Sequence, residues 1–126
     1  MRALRQGQTL GMLPDQVPPH GLGVWAPFFG ETAYTMTLAP KLAQQSGAAV
    51  LTIFAERLPK GRGYAVRVAP LTDPLPPREG LTEGGWLTAA AAAINRSMEA
   101  LIAQQPSQYL WGYHRYKQPR SMENAS

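Results

Sequence analysis

The sequence predicts an α/β layer structure, a small mixed sheet with flanking helices. Three observations predict it. Residues 48–55, Ala-Ala-Val-Leu-Thr-Ile-Phe-Ala, form a nearly unbroken apolar run, as a strand covered on both faces would. Tyr64-Ala65-Val66-Arg67-Val68 alternates with a period of two. Leu87, Ala90, Ala91, Ile94, Met98, Leu101 and Ile102 recur at three- and four-residue intervals, one side of a helix.

The first element expected is a short strand at Thr9-Leu10-Gly11-Met12-Leu13, stopped by Pro14, which has no ladder donor. Residues 15–23 are loop-like, with Pro18-Pro19-His20-Gly21 at their centre. Val24-Trp25-Ala26-Pro27-Phe28-Phe29-Gly30 is apolar but broken by proline, and reads as a buried loop or a stub of edge strand. A helix follows from Thr35 or Thr37, either a suitable cap. Pro40 is tolerated only in the first turn, which favours the later start, and Gly47 is a C-terminal stop. Strand, helix and strand then make a right-handed crossover, with strands 9–13 and 49–56 parallel.

Pro59-Lys60-Gly61-Arg62-Gly63 is a turn, so residues 64–68 become the hairpin partner of the preceding strand. The four prolines of residues 70–83 give a surface loop, and Pro106 ends the long helix. Residues 107–120 form an aromatic, basic tail, and 121–126 a disordered end. Three strands with two helices are marginal as a free-standing unit, which implies further structure upstream of the first strand.

A chain of 126 residues with 44% hydrophobic content folds as one domain with a modest core. It has no cysteine, which excludes disulfides and thiolate metal sites, and no apolar stretch of about 18 residues that would span a membrane. Twelve Lys and Arg against eight Asp and Glu give +4, which favours anionic partners. No metal cluster, phosphate loop or nucleophile elbow is present; Gly21-Leu22-Gly23 lacks the third glycine of a dinucleotide turn. Glu56-Arg57 reads as a charged pair on a rim. Asp15 and Gln16 follow the first expected strand, where α/β folds gather ligands, although Pro-Asp also simply opens turns. The tail residues Tyr109, Trp111, Arg115 and Lys117 interleave aromatics with cations. Such a segment either stacks on single-stranded nucleic acid, binds a phosphorylated lipid, or docks its rings on the core.

Taken together, five blocks resemble the lipid A biosynthesis lauroyl/myristoyl acyltransferase family. They are Leu13-Pro14-Asp15-Gln16; Gly23 to Gly30; Thr35-Met36-Thr37-Leu38; Ala55-Glu56-Arg57-Leu58-Pro59; and Gln108-Tyr109-Leu110-Trp111 with Arg115-Tyr116-Lys117. The resemblance covers roughly residues 5–120. It implies that residues 1–120 are the C-terminal part of a lipid A acyltransferase domain with a glycerolipid-acyltransferase-like fold. It implies acyl transfer from acyl carrier protein to a phosphorylated lipid A precursor at the cytoplasmic face of the inner membrane, with no cofactor, and a membrane-anchoring N-terminal segment in the parent enzyme; the lack of an apolar span leaves this chain peripheral membrane contact. Asp15 matches the family's functional aspartate in a supporting catalytic role, with Gln16, Arg115 and Lys117 as substrate contacts. The family's catalytic histidine is followed by its acidic partner five or six positions later. Those positions hold Trp25 and Ala26 after His20, and Pro119 and Arg120 after His114. The expectation is a fragment without the His/acid pair, soluble and inactive alone. The alternative is a basic, aromatic-rich module for nucleic acid or other anionic polymers, although nucleic acid is the less expected partner.

Overall fold

A computed structural model describes residues 1–121. The order of elements is α1 (Arg2–Arg5), β1 (Gly23–Phe28), β2 (Glu31–Met36), α2 (Leu38–Ser46), β3 (Leu51–Arg57), β4 (Tyr64–Pro70) and α3 (Glu83–Gln104). Short 3-10 turns lie at Pro59–Gly61 and Pro106–Gln108. The chain is α/β, with helices flanking two antiparallel two-stranded sheets, β1-β2 and β3-β4.

The crossover with strands 9–13 and 49–56 parallel does not form. Residues 9–13 find no ladder partner among the described residues and run as irregular backbone, with Leu10 and Leu13 exposed. The first sheet comes instead from residues 23–36, of which the sequence offered only 24–30, as a buried loop or a stub of edge strand. Phe29 and Gly30 both take positive φ, 49° and 80°. That is the pattern of a type I′ turn, whose twist matches the strands it joins. With Phe28 and Glu31 closing the turn, the next pair, Pro27 and Thr32, is a non-hydrogen-bonded one. The proline nitrogen therefore faces outward, where a missing donor costs nothing.

Most other elements follow the sequence. Thr37 precedes α2 and Gly47 ends it at φ 68°. The Thr37 hydroxyl donates to the Leu22 carbonyl rather than capping the helix. The β3-β4 hairpin forms as expected, although β3 is covered on one face only, with Leu51 and Ile53 exposed, and α3 runs from Glu83 to Gln104, one turn longer at its start than the periodicity indicated. Thr82 caps it by accepting a hydrogen bond from the Gly85 amide at 3.1 Å. Of the expected end at residues 121–126, only Ser121 lies within the described residues.

The core lies between α3 and the β1-β2 hairpin. The alanine run lets the two approach closely, with Ala90, Ala91 and Ala93 buried against neighbours. Phe28, Ala33 and Ile102 form one cluster with Met98 and Tyr109 packed on it. Trp86, Leu87 and Ala90 form another with Val24 and Leu75. Trp86 also donates from its indole to the Pro76 carbonyl at 2.8 Å, fixing the proline-rich loop over the helix.

Candidate functional site

Asp15 lies in the turn at Pro14-Asp15, half-buried, and not at the end of a strand. Its Oδ2 accepts a hydrogen bond from the Tyr109 hydroxyl at 2.9 Å. Two residues on, the Val17 amide donates to the Tyr113 hydroxyl at 2.8 Å. The His20 amide donates to the Arg120 carbonyl at 2.9 Å. The irregular segment 15–20 is thus laced along the aromatic tail by three bonds. Burial, and secondarily the bond to Asp15, pushes the Tyr109 hydroxyl pKa well above the ordinary tyrosine value. Tyr109 therefore stays protonated and remains a donor.

The tail packs back on the first hairpin. Tyr116 donates from its hydroxyl to the Phe28 carbonyl at 2.6 Å. Arg115 is only 4% exposed. Its two terminal nitrogens donate to the Tyr34 carbonyl at 2.8 Å and the Thr35 hydroxyl at 2.9 Å. Its Nε is buried with no hydrogen-bond acceptor among the described residues, and its guanidinium stands 5.2 Å from the centre of the Phe28 ring. Burial lowers its pKa from the usual arginine value. The side chain offered by the sequence as a substrate contact thus faces inward and fastens the tail to β2. Lys117 holds its ammonium 4.9 Å from the centre of the Tyr113 ring. Gln16 is exposed.

Between tail and hairpin is a cleft of about 340 Å³, lined by Phe28, Tyr109, Trp111, Tyr113, Arg115 and Tyr116 among others. Trp111 is anchored by its indole N–H to the Pro106 carbonyl at 2.7 Å and lies against Phe29 and Tyr109. The tyrosine hydroxyls of the tail bond to partners within the fold, while the Trp111 ring is left more than half exposed.

The other sequence blocks meet the same tail. The Gln108 side-chain amide accepts from the Arg57 amide at 2.8 Å and donates to the Arg57 carbonyl at 3.1 Å, imitating a neighbouring strand. Glu56 pairs with Arg67 across the hairpin at 2.6 Å and accepts from Gln105 at 2.8 Å. It is thus tied into the fold rather than standing as a rim pair with Arg57.

Asn95 was not identified in the sequence, and Thr35, offered there as a helix cap, lies instead in β2. Asn95 is buried on α3 and donates to the Pro27 carbonyl and the Thr35 hydroxyl, both at 3.0 Å. The Thr35 hydroxyl in turn donates to the Ala33 carbonyl and accepts from Asn95 and Arg115, so its hydrogen-bonding capacity is filled. An asparagine on the apolar side of a helix was the available signal. Neither histidine supplies an activated base. His20 stacks on Tyr34 with centroids 6.5 Å apart, His114 is exposed, and among the described residues no hydrogen bond joins either ring to a carboxylate. No helix among them is long and apolar enough to cross a membrane.

Residues 1–118 match the family model described as bacterial lipid A biosynthesis acyltransferase. The chain is similar to the lipid A biosynthesis lauroyltransferase of Escherichia coli (strain K12), 30% identical over 118 residues, covering 93% of this chain and 36% of that protein. It is 33% identical over 116 residues to the palmitoleoyltransferase of the same strain and to a lipid A biosynthesis acyltransferase of Shigella flexneri, covering 91% of this chain and 35% of each. The chain spans about a third of the length of these relatives. By the match across nearly its whole length, it belongs to the bacterial lipid A biosynthesis acyltransferase family.

Proposed function

We propose that these residues form the substrate-handling third of an acyltransferase that moves a fatty acyl group from acyl carrier protein to a hydroxyl of a phosphorylated lipid A precursor. In that reaction a base takes the hydroxyl proton as the oxygen attacks the thioester carbonyl, the carbon–sulfur bond breaks, and the carrier thiolate departs and takes up that proton. The supporting observation is the Asp15–Tyr109 hydrogen bond, which joins two of the family-like blocks beside an aromatic cleft. Asp15 holds Tyr109 and so positions the cleft wall. Gln16, exposed on the same turn, contacts the polar part of the substrate. Lys117 offers its ammonium to a phosphate. Arg115 acts from beneath, contributing positive potential while fixing the tail. The enzyme works at the cytoplasmic face of the inner membrane, where these residues make peripheral contact.

No base for the hydroxyl is assembled among the described residues, so the isolated chain does not turn over. The test is an acyl-transfer assay with acyl carrier protein as donor. It compares the 126-residue chain with a chimera in which that chain replaces the matched third of the E. coli lauroyltransferase. Transfer by the chimera and none by the isolated chain is expected. Turnover by the isolated chain, or a folded but inactive chimera, contradicts the reading.

A further inference from the structure

The β3-β4 hairpin carries its apolar residues on the wrong side for a finished fold. Its register sets Leu51 opposite Pro70, Ile53 opposite Val68, Ala55 opposite Val66 and Arg57 opposite Tyr64, all on one face. On that face Leu51, Ile53, Tyr64, Val66 and Val68 are each more than half exposed, Ile53 reaching 69%. The opposite face holds Thr52, Phe54 and Glu56, all partly covered, with Glu56 bonded to Gln105 and Arg67. A half-covered antiparallel sheet turns its apolar side to the core and its polar side to water. Here the arrangement is reversed, so the exposed side belongs against something.

The edges narrow the choice. The outer edge of β3 is occupied at Arg57 by the Gln108 amide. The outer edge of β4 meets no other strand among the described residues. Because the Leu58 amide donates to the Gly63 carbonyl, the alternation of pairs turns the N–H and C=O groups of Val66 and Val68 away from β3. Sinking this face into a bilayer would bring those unpaired backbone groups towards hydrocarbon, which has no partner for them. A polypeptide that adds a strand to β4 and lays an apolar layer over the face satisfies both requirements at once. The family relatives carry about two thirds of their length outside the stretch matched here.

We propose that this face and the β4 edge are the docking surface for the remaining two thirds of a lipid A acyltransferase polypeptide, with Ile53, Val66 and Val68 at the centre of the contact. The inference rests on the acyltransferase reading for the identity of the occupant, not for the existence of the surface. The basic residues Arg57, Lys60 and Arg62 at the hairpin's turn end stay outside the contact, where their charge is solvated.

The natural absence of cysteine gives a clean test. Single substitutions Ile53→Cys and Val66→Cys, with Gln44→Cys on α2 as control, are labelled with a water-soluble maleimide. Labelling is compared in the 126-residue chain alone and in the lauroyltransferase chimera. Expected is a slowing of about tenfold or more for Ile53→Cys and Val66→Cys in the chimera, with Gln44→Cys unchanged. The same comparison is made with the two pieces co-expressed as separate polypeptides, where they should co-purify and Val66→Glu should abolish co-purification. Equal reactivity of both cysteines in chain and chimera, with no co-purification, overturns the proposal. So does protection that arises in the chain alone through concentration-dependent dimers in sedimentation velocity, or only on phosphatidylglycerol vesicles. Protection in a chimera without acyl transfer leaves the surface standing and removes the function; transfer with unprotected cysteines does the opposite.

Discussion

The Tyr109 hydroxyl and the Asp15 carboxylate, 94 residues apart in sequence, meet at 2.9 Å and close the tail onto the segment that follows Pro14. A hydrogen bond to a charged acceptor contributes about 1.5–3 kcal/mol when it is shielded, and less where water competes. Tyr109→Phe should therefore lower unfolding free energy by roughly 1–2 kcal/mol in a urea titration. Asp15→Asn, which keeps an acceptor oxygen, should cost less. A double-mutant cycle between Tyr109→Phe and Asp15→Ala should give a coupling of at least about 0.5 kcal/mol; additive effects would show that the bond does not hold in solution.

Alkaline pH tests the same tyrosine. Its folded pKa lies above its ordinary value of 10.0, raised chiefly by burial, and that of Tyr116 is raised by the same cause. Above pH 10 the unfolded chain loses these protons while the folded chain keeps them, so the unfolded state binds fewer protons and stability falls as pH rises. The stabilisation is fully present below pH 10 and disappears towards the folded pKa. Absorbance of tyrosinate should show a fraction of the five tyrosines titrating only as the protein unfolds. Tyr109→Phe should shrink that late fraction; an unchanged late fraction would contradict the assignment.

Thr35→Val is nearly isosteric yet should be severe. It removes the acceptor shared by Asn95 and Arg115 inside the fold. Two buried donors lose a partner, at a cost of roughly 2–4 kcal/mol. Thr35→Ser, which retains the hydroxyl, should recover most of this by thermal or denaturant unfolding. Equal losses for valine and serine would point to packing alone.

Gly23→Ala should disrupt the start of β1. A Cβ there would lie 2.6 Å from the Thr35 carbonyl oxygen and 2.8 Å from Pro18 Cγ. Backbone cannot yield as a side-chain tip can, and the expected cost is roughly 1–3 kcal/mol. An alanine variant as stable as the parent would contradict the hairpin's position.

The contrast between the two hairpins shows what sequence could carry. The Pro59-Lys60-Gly61 turn between an apolar run and an alternating run announced β3 and β4 directly. The β1-β2 turn places Phe29, a bulky residue, at a positive φ where Asn, Asp or Gly is the usual signal, and Pro27 argues against a strand. Tertiary contacts supply what local chemistry withholds: Glu99 accepts from the Phe29 amide, and the ring lies against Phe28 and Trp111. Helices α2 and α3 were legible because Gly47, Pro106 and the periodic apolar face act locally. Asp15 and the aromatic tail stood out as residue types. Their pairing, and the Thr35–Asn95–Arg115 cluster, join residues 60 to 94 positions apart and leave no local pattern.

The role of Asp15 is read out by acyl transfer in the lauroyltransferase chimera carrying Asp15→Ala. If Asp15 positions the cleft wall through Tyr109, turnover should fall by about tenfold or more while the chimera stays folded. Asp15→Glu, which keeps the charge but moves it, should fall between. A folded Asp15→Ala chimera with the parent's kcat and KM would show that Asp15 has no part in positioning the cleft.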